Sequence, residues 1–157
     1  MGLNKGPFVV VDTVSVLDPY GWEGSITLLL DNVIITPIPV TLLSVDVCVR
    51  QPERTQVLLD SFFQNAITIS GGDGVIGVRY QLQRNDTPIA EINDEMDYAD
   101  VNDGRHTNFP DFPLVDKTPN RGINKYQLKV VQLAISVPAL NSIYIGSRSL
   151  KATVIPL

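Results

Sequence analysis

Four aspartates recur at intervals of three, Asp94, Asp97, Asp100 and Asp103, and Gly104 follows them. Carboxylates on a flexible loop suit a hard cation such as calcium, which takes several oxygen ligands at once. The run lacks the D-x-D-x-D-G order of an EF-hand, and a three-residue interval does not converge side chains in an extended segment. A solvated acidic loop is the reading adopted. No metal site is assigned, and these four residues are the ones that would hold a cation if one bound.

Two other acidic or nucleophilic groupings could do chemistry. Glu91 and Glu95 could pair as acid and nucleophile for glycoside hydrolysis, but the aromatic platform a sugar site wants is limited to Trp22 and scattered tyrosines. Trp22 itself reads as a rim residue packing over one end of the fold. Asp103, Arg105 and His106 are neighbours in sequence, and adjacent loop residues seldom converge on one point. Ser147 and Ser149 sit in a strand-like run with no nucleophile-elbow sequence around them. The residues thus point to no enzyme, no catalytic group and no cofactor.

Composition narrows the classes further. A chain of 157 residues with 44% apolar and 18% charged residues is one globular domain with a sizeable core and a sparsely charged surface. A net charge of −5, with basic residues scattered singly, argues against a nucleic-acid partner. Apolar runs broken by Asp31, Pro37 and Pro39 are too short to span a membrane as a helix. Cys48 is the single cysteine and His106 the single histidine, so neither an internal disulfide nor a cysteine-based zinc site can form. Cys48 falls on an outward position and is a candidate for an intermolecular disulfide. The opening MGLNKGPF has no basic segment followed by an apolar one, so no secretory signal is expected.

The elements that would position these groups are strands. Residues 75–92 read as a β-hairpin: Val78, Tyr80 and Leu82 alternate with Arg79, Gln81 and Gln83, and Asn85-Asp86 supplies the two turn residues. Counting back from that turn sets Leu82 opposite Ile89. Residues 40–50 alternate as cleanly, with Leu43, Val45, Val47 and Val49 inward. Residues 25–36 read as two short strands meeting at Asp31-Asn32. A short helix is possible over 58–67, where the apolar period weakens.

Residues 93–124 read as an irregular acidic loop, with Phe109, Phe112 and Leu114 as a short strand docking aromatic side chains beneath it. Residues 125–137 and 143–155 each switch apolar parity midway, the mark of a β-bulge or of a bend between sheets. Short strands with almost no helix make an all-β antiparallel sandwich, and strands that bend favour a jelly roll.

The N-terminal segment is divided off at 1–17, with a single β-sandwich domain over 18–157. Phe8, Val9, Val10, Val11, Val14 and Val16 make this terminal stretch β-branched and apolar. It is either the first strand of its own sheet or an arm that docks on a neighbouring subunit.

Four strings together resemble a known family: LNKGPFVVVDTV at 3–14, VLLDS at 57–61, YQLQRNDTPI at 80–89 and YIGSRSLKATV at 144–154. In that order they resemble the exosporium protein C family of spore-forming Bacillota. The resemblance implies a component of the outer spore layer or its appendages, made in the mother-cell cytoplasm and deposited on the spore surface without a signal peptide. It also implies a jelly roll of the tumour necrosis factor type, with trimers or fibres of itself and other spore-surface proteins as partners. The chain has no Gly-X-Y tract, unlike the collagen-like spore glycoprotein. The functional expectation is a non-enzymatic, self-assembling structural protein. A carbohydrate- or cation-binding jelly-roll module and a phage or virus-like coat or fibre protein are the alternatives.

Overall fold

Apolar residues keep a two-residue period over long stretches, and in the computed structural model each such stretch is one strand. The structure describes residues 6–31, 33–101, 104–136 and 140–157. In chain order the strands are β1 (Phe8–Val14), β2 (Ile26–Leu30), β3 (Val33–Ile34), β4 (Val40–Val49), β5 (Thr55–Ile69) and β6 (Gly72–Arg84). They continue as β7 (Thr87–Val101), β8 (Gly104–Asn108), β9 (Asp111–Asp116), β10 (Gly122–Ile135) and β11 (Leu140–Pro156). Among the described residues the one helical turn is 3-10, at Pro52–Arg54.

Two antiparallel sheets result. Sheet A has seven strands: β11 is flanked on one side by β1 and β2, with β3 beyond β2, and on the other by β5, which carries β8 and β9. Sheet B has four, in the order β4-β10-β6-β7. Along the chain, β1 and β2 pair back onto the last strand, β3 onto β2, β4 onto β10, β5 onto β8 and β9, and β6 onto β7. Such a long hairpin wrapped over two sheets is a jelly roll.

Between the sheets lies one apolar layer, with Leu28, Leu59, Phe63, Ile67, Ile76, Leu82, Leu128 and Ile143 fully buried. Each contributes roughly 1.5–3 kcal/mol by leaving water. Phe63 and Tyr80 meet edge to face at 4.7 Å across it.

Several expectations from sequence are met. Asn85 and Asp86 both take positive φ, 49° and 64°, as the tight hairpin turn requires. Register shifts fall at Val130/Gln132 in β10 and at Ile145/Arg148 in β11, where apolar parity switches. At the second bulge a Cβ on Gly146 would meet Gln64 Oε1 at 2.5 Å and Pro19 Cβ at 2.8 Å, so glycine is required there by close approach.

Others are corrected. The possible helix over 58–67 is the middle of β5, because Ser61 and Asn65 occupy inward positions and hide an otherwise regular period. Leu82 faces Ala90 rather than Ile89, since a bulge between Leu82 and Gln83 absorbs one residue. The acidic stretch is not irregular: β7 runs through it to Val101, and β8 and β9 follow. It can be a strand because Glu91, Asn93, Glu95 and Asp97 are all exposed while Ala90, Ile92, Asp94 and Met96 take the other face. Trp22 does not pack over the sandwich end; it is 70% exposed.

Polar groups close the sandwich edges. Arg148 points inward and donates to the carbonyl oxygens of Gly146, Gly24 and Leu42, the last on the opposite sheet. Burial lowers its proton affinity and nearby Asp12 raises it. Asp12, on β1, also accepts from the backbone N–H of Ser44 on β4 at 3.0 Å, joining the two sheets at that side. At another edge, Asp116 accepts from Arg84 at 2.7 Å, from the Tyr126 hydroxyl at 2.8 Å and from the Thr118 N–H.

Burial pushes the Tyr126 hydroxyl well above its ordinary value of 10.0, and its hydrogen bond to Asp116 adds to the effect. Tyr80 is raised likewise, by burial first and then by the negative charges of Asp94 and Asp111. Groups held protonated in the fold but free to ionise once unfolded stabilise the fold fully below the unfolded value. That stability falls as pH rises past about 10, because the unfolded chain then binds fewer protons. Urea unfolding across the alkaline range should therefore show a steeper loss of stability in the wild type than in Tyr126→Phe.

Candidate functional site: the outer face of sheet A

The two outer faces of a sandwich need not match, and here they differ. Sheet B presents Asp46, Cys48, Lys125, Arg79, Glu91, Asn93 and Glu95, all exposed. Arg79 pairs with Glu91 at 3.2 Å, and Lys125 lies in register with Asp46. This is a solvated face of alternating charge.

Sheet A presents three rows running across β1, β11, β5 and β9. The first is Val9, Thr153, Leu58 and Val115; the second Val11, Lys151, Asp60 and Pro113; the third Thr13, Ser149, Phe62 and Asp111. Val9, Val11 and Val115 are 54%, 53% and 42% exposed, and Leu58 and Phe62 are half-buried. Within these rows the charged side chains are Lys151, Asp60 and Asp111, and Lys151 meets Asp60 at 2.7 Å. An apolar patch with one internal ion pair is what an interaction surface looks like before it is covered.

Beside the third row stands Phe109, 58% exposed. It walls a groove of about 670 Å³ lined also by Asp60, Phe62, Asp111, Pro113 and Lys151. The expected docking of Phe109 under a loop is thus reversed: Phe112 and Leu114 pack against the core, while Phe109 projects. Its backbone N–H donates to Asn108 Oδ1, and the amide of that same Asn108 donates to Asp94. Pro110 accepts from the N–H of Phe63 at 3.3 Å, which anchors the connection to β5.

Asp94, the first residue of the acidic run, is therefore a positioning residue. It is buried and accepts from Asn65 Nδ2 at 3.2 Å as well as from Asn108. Asp97 lies on the opposite, exposed face of β7, so the two carboxylates are not brought together. The side chains of Asp100 and Asp103 lie outside the described residues. Among the described residues no group of three or more His, Cys, Asp or Glu is placed to hold a metal ion.

The remaining candidates are also separated or taken up by the fold. Glu91 and Glu95 share one exposed face but sit four residues apart on a strand, about 13 Å between Cα atoms. Glu91 is engaged by Arg79 and Gln81. Arg105 and His106 are neighbours on β8 and so point to opposite faces; Arg105 stacks over Tyr20 at 4.6 Å. Ser149 bonds Thr13, and Ser147 exchanges hydrogen bonds with the backbone of Val16. Cys48 is exposed on the edge strand β4, opposite Ile123, itself 68% exposed.

Of the N-terminal residues, Val9 and Val11 join the outer face of sheet A. Phe8, Val10 and Val14 alternate with them toward the sandwich interior, and Val16 lies beyond the strand. In the single chain β1 is an edge strand paired with β11, and none of its side chains is buried. Phe62, Asp60 and Lys151 were not singled out from sequence, and Phe109 was expected beneath a loop rather than on this face. The alternation of Leu58, Asp60 and Phe62 was the available signal, hidden once the stretch was read as a possible helix.

No protein-family model and no curated protein matches the chain. Among solved structures it is similar to that of infectious bursal disease virus Gx strain, at 15% identity and a TM-score of 0.49 over 97% of the chain. T=1 particles derived from infectious bursal virus give 18% and 0.48 over 96%. Dimeric latent PorU from Porphyromonas gingivalis gives 13% and 0.40 over 97%. The chain spans 32% of each viral protein's length and 13% of PorU. The jelly-roll assignment rests on the strand pairing within this chain.

Replacing Asp94 by alanine leaves the amides of Asn65 and Asn108 facing each other without an acceptor. A buried polar group stripped of its partner costs about 1–3 kcal/mol. Urea unfolding of Asp94→Ala should show a loss of that size, and Glu95→Ala on the exposed face of the same strand should show almost none.

Proposed function

We propose that the protein is a non-enzymatic structural subunit that assembles with copies of itself, in an outer spore layer or appendage as the sequence resemblance implies. The observation that carries this reading is the contrast between the faces. Apart from Ile123, sheet B is finished with charge, whereas sheet A carries exposed valines, Phe62 and a neutralised ion pair across its strands, with Phe109 beside them. Apolar surface of that kind favours burial between subunits. The edge position of β1 offers a second contact, since its free edge can pair with a neighbour's strand. Cys48 is exposed on a sheet edge and available for an intermolecular disulfide once subunits are packed.

A second reading, a sugar-binding module, draws on the same groove, where aromatic rings and carboxylates stand together. A phage or virus-like coat or fibre protein would use the same packing as a spore-layer subunit.

Light scattering and negative-stain microscopy of the purified chain, with and without reductant, separate these. Oligomers, rings or filaments are expected, with reductant shortening them if Cys48 is bridged. Monomers at all concentrations, together with saccharide binding, would replace the structural reading with the module. Antibody labelling of intact spores is expected to decorate their surface. Label confined to phage particles or to the cell interior would overturn the spore assignment while leaving self-assembly standing.

A further inference from the structure

We propose that two copies pack sheet A against sheet A about a two-fold axis lying in the plane of that face, with Phe109 of each copy seated in the groove of the other. The inference rests on the self-associating reading above and names its contact.

Three observations select a second copy as the occupant. First, the knob and the groove are on one face of one chain: Phe109 is 58% exposed and borders the groove of about 670 Å³ that it would enter in a partner. A two-fold contact brings the same patch of both subunits together, so a surface carrying both shapes is self-complementary. Second, the charge fits. The chain carries a net charge of −5, so like copies repel over most of their surface. On this face Lys151 neutralises Asp60, and Asp111 is the one carboxylate of the three rows without an ion pair among the described residues.

Third, the backbone that carries Phe109 is fixed. Its N–H is bonded to Asn108, which is tied to buried Asp94, and the next residue's carbonyl is bonded to β5. A side chain carried on a backbone already fixed in the free subunit leaves less to be ordered on packing, which suits an interface anchor.

Sedimentation equilibrium of the full-length protein tests the proposal. Phe109→Asp should weaken association by roughly thirtyfold or more, the effect of an anchor residue, with a melting curve unchanged at concentrations where both proteins are monomeric, because the side chain is exposed. Glu95→Lys on sheet B should leave association as in the wild type. For proximity, chains carrying Phe109→Cys and Ser149→Cys, both on a Cys48→Ser background, are mixed and oxidised; a cross-linked heterodimer is expected. Wild-type association in Phe109→Asp, or no cross-link while the mixture associates, would overturn the packing and leave self-assembly by another surface. A wild-type chain that stays monomeric would overturn both.

Discussion

The antiparallel pairing of β5 with β11 is the constraint on which the rest of the molecule depends. The two strands run together from Thr55–Pro156 at one end to Ile69–Leu140 at the other, and every other strand of sheet A except β3, which pairs with β2, attaches to one of them. Because side chains alternate, this pairing divides each strand into a core set and an outer set. Val57, Leu59, Phe63, Ala152 and Val154 take the core. Leu58, Asp60, Phe62, Ser149 and Lys151 are then committed to the outside. The outer face is thus a direct consequence of the strand register that builds the core, and a one-residue slip would exchange them.

Charged and polar side chains do a different task inside the sandwich. Arg148, Asp12, Asp116 and Asp94 each bind groups from separate strands near the margins of the apolar layer. Each is hydrogen-bonded to groups that the fold supplies, which offsets the cost of drawing its charge away from water. Asp94 has the farthest reach, since its bonds pass through Asn108 to the placement of Phe109. A residue expected at a cation site instead sets the shape of a surface.

How far the sequence disclosed this follows from what periodicity can report. The Asn85-Asp86 hairpin, the alternation in β4 and the bulges in β10 and β11 are local patterns, visible within a dozen residues. The long strand β5 was obscured because Ser61 and Asn65 occupy core positions, and their partners, Phe112 and Asp94, lie far along the chain. The stretch through Asp94 and Asp97 looked like loop because acidic residues are poor strand formers; its partner β6 supplies the pairing that overrides this. The apolar outer face could not be read from any one strand. It exists only once β1, β11, β5 and β9 are aligned, and each contributes no more than one or two apolar side chains to it.

Hydroxyl-radical footprinting over a range of protein concentrations tests the central claim most directly, because phenylalanine oxidation reports side-chain exposure. If the outer face of sheet A is the surface that assembly covers, oxidation of Phe109 and Phe62 falls as the protein associates, while Ile123, exposed on sheet B, stays reactive. Unchanged oxidation of both phenylalanines in a sample that has visibly associated would show that the subunits meet elsewhere.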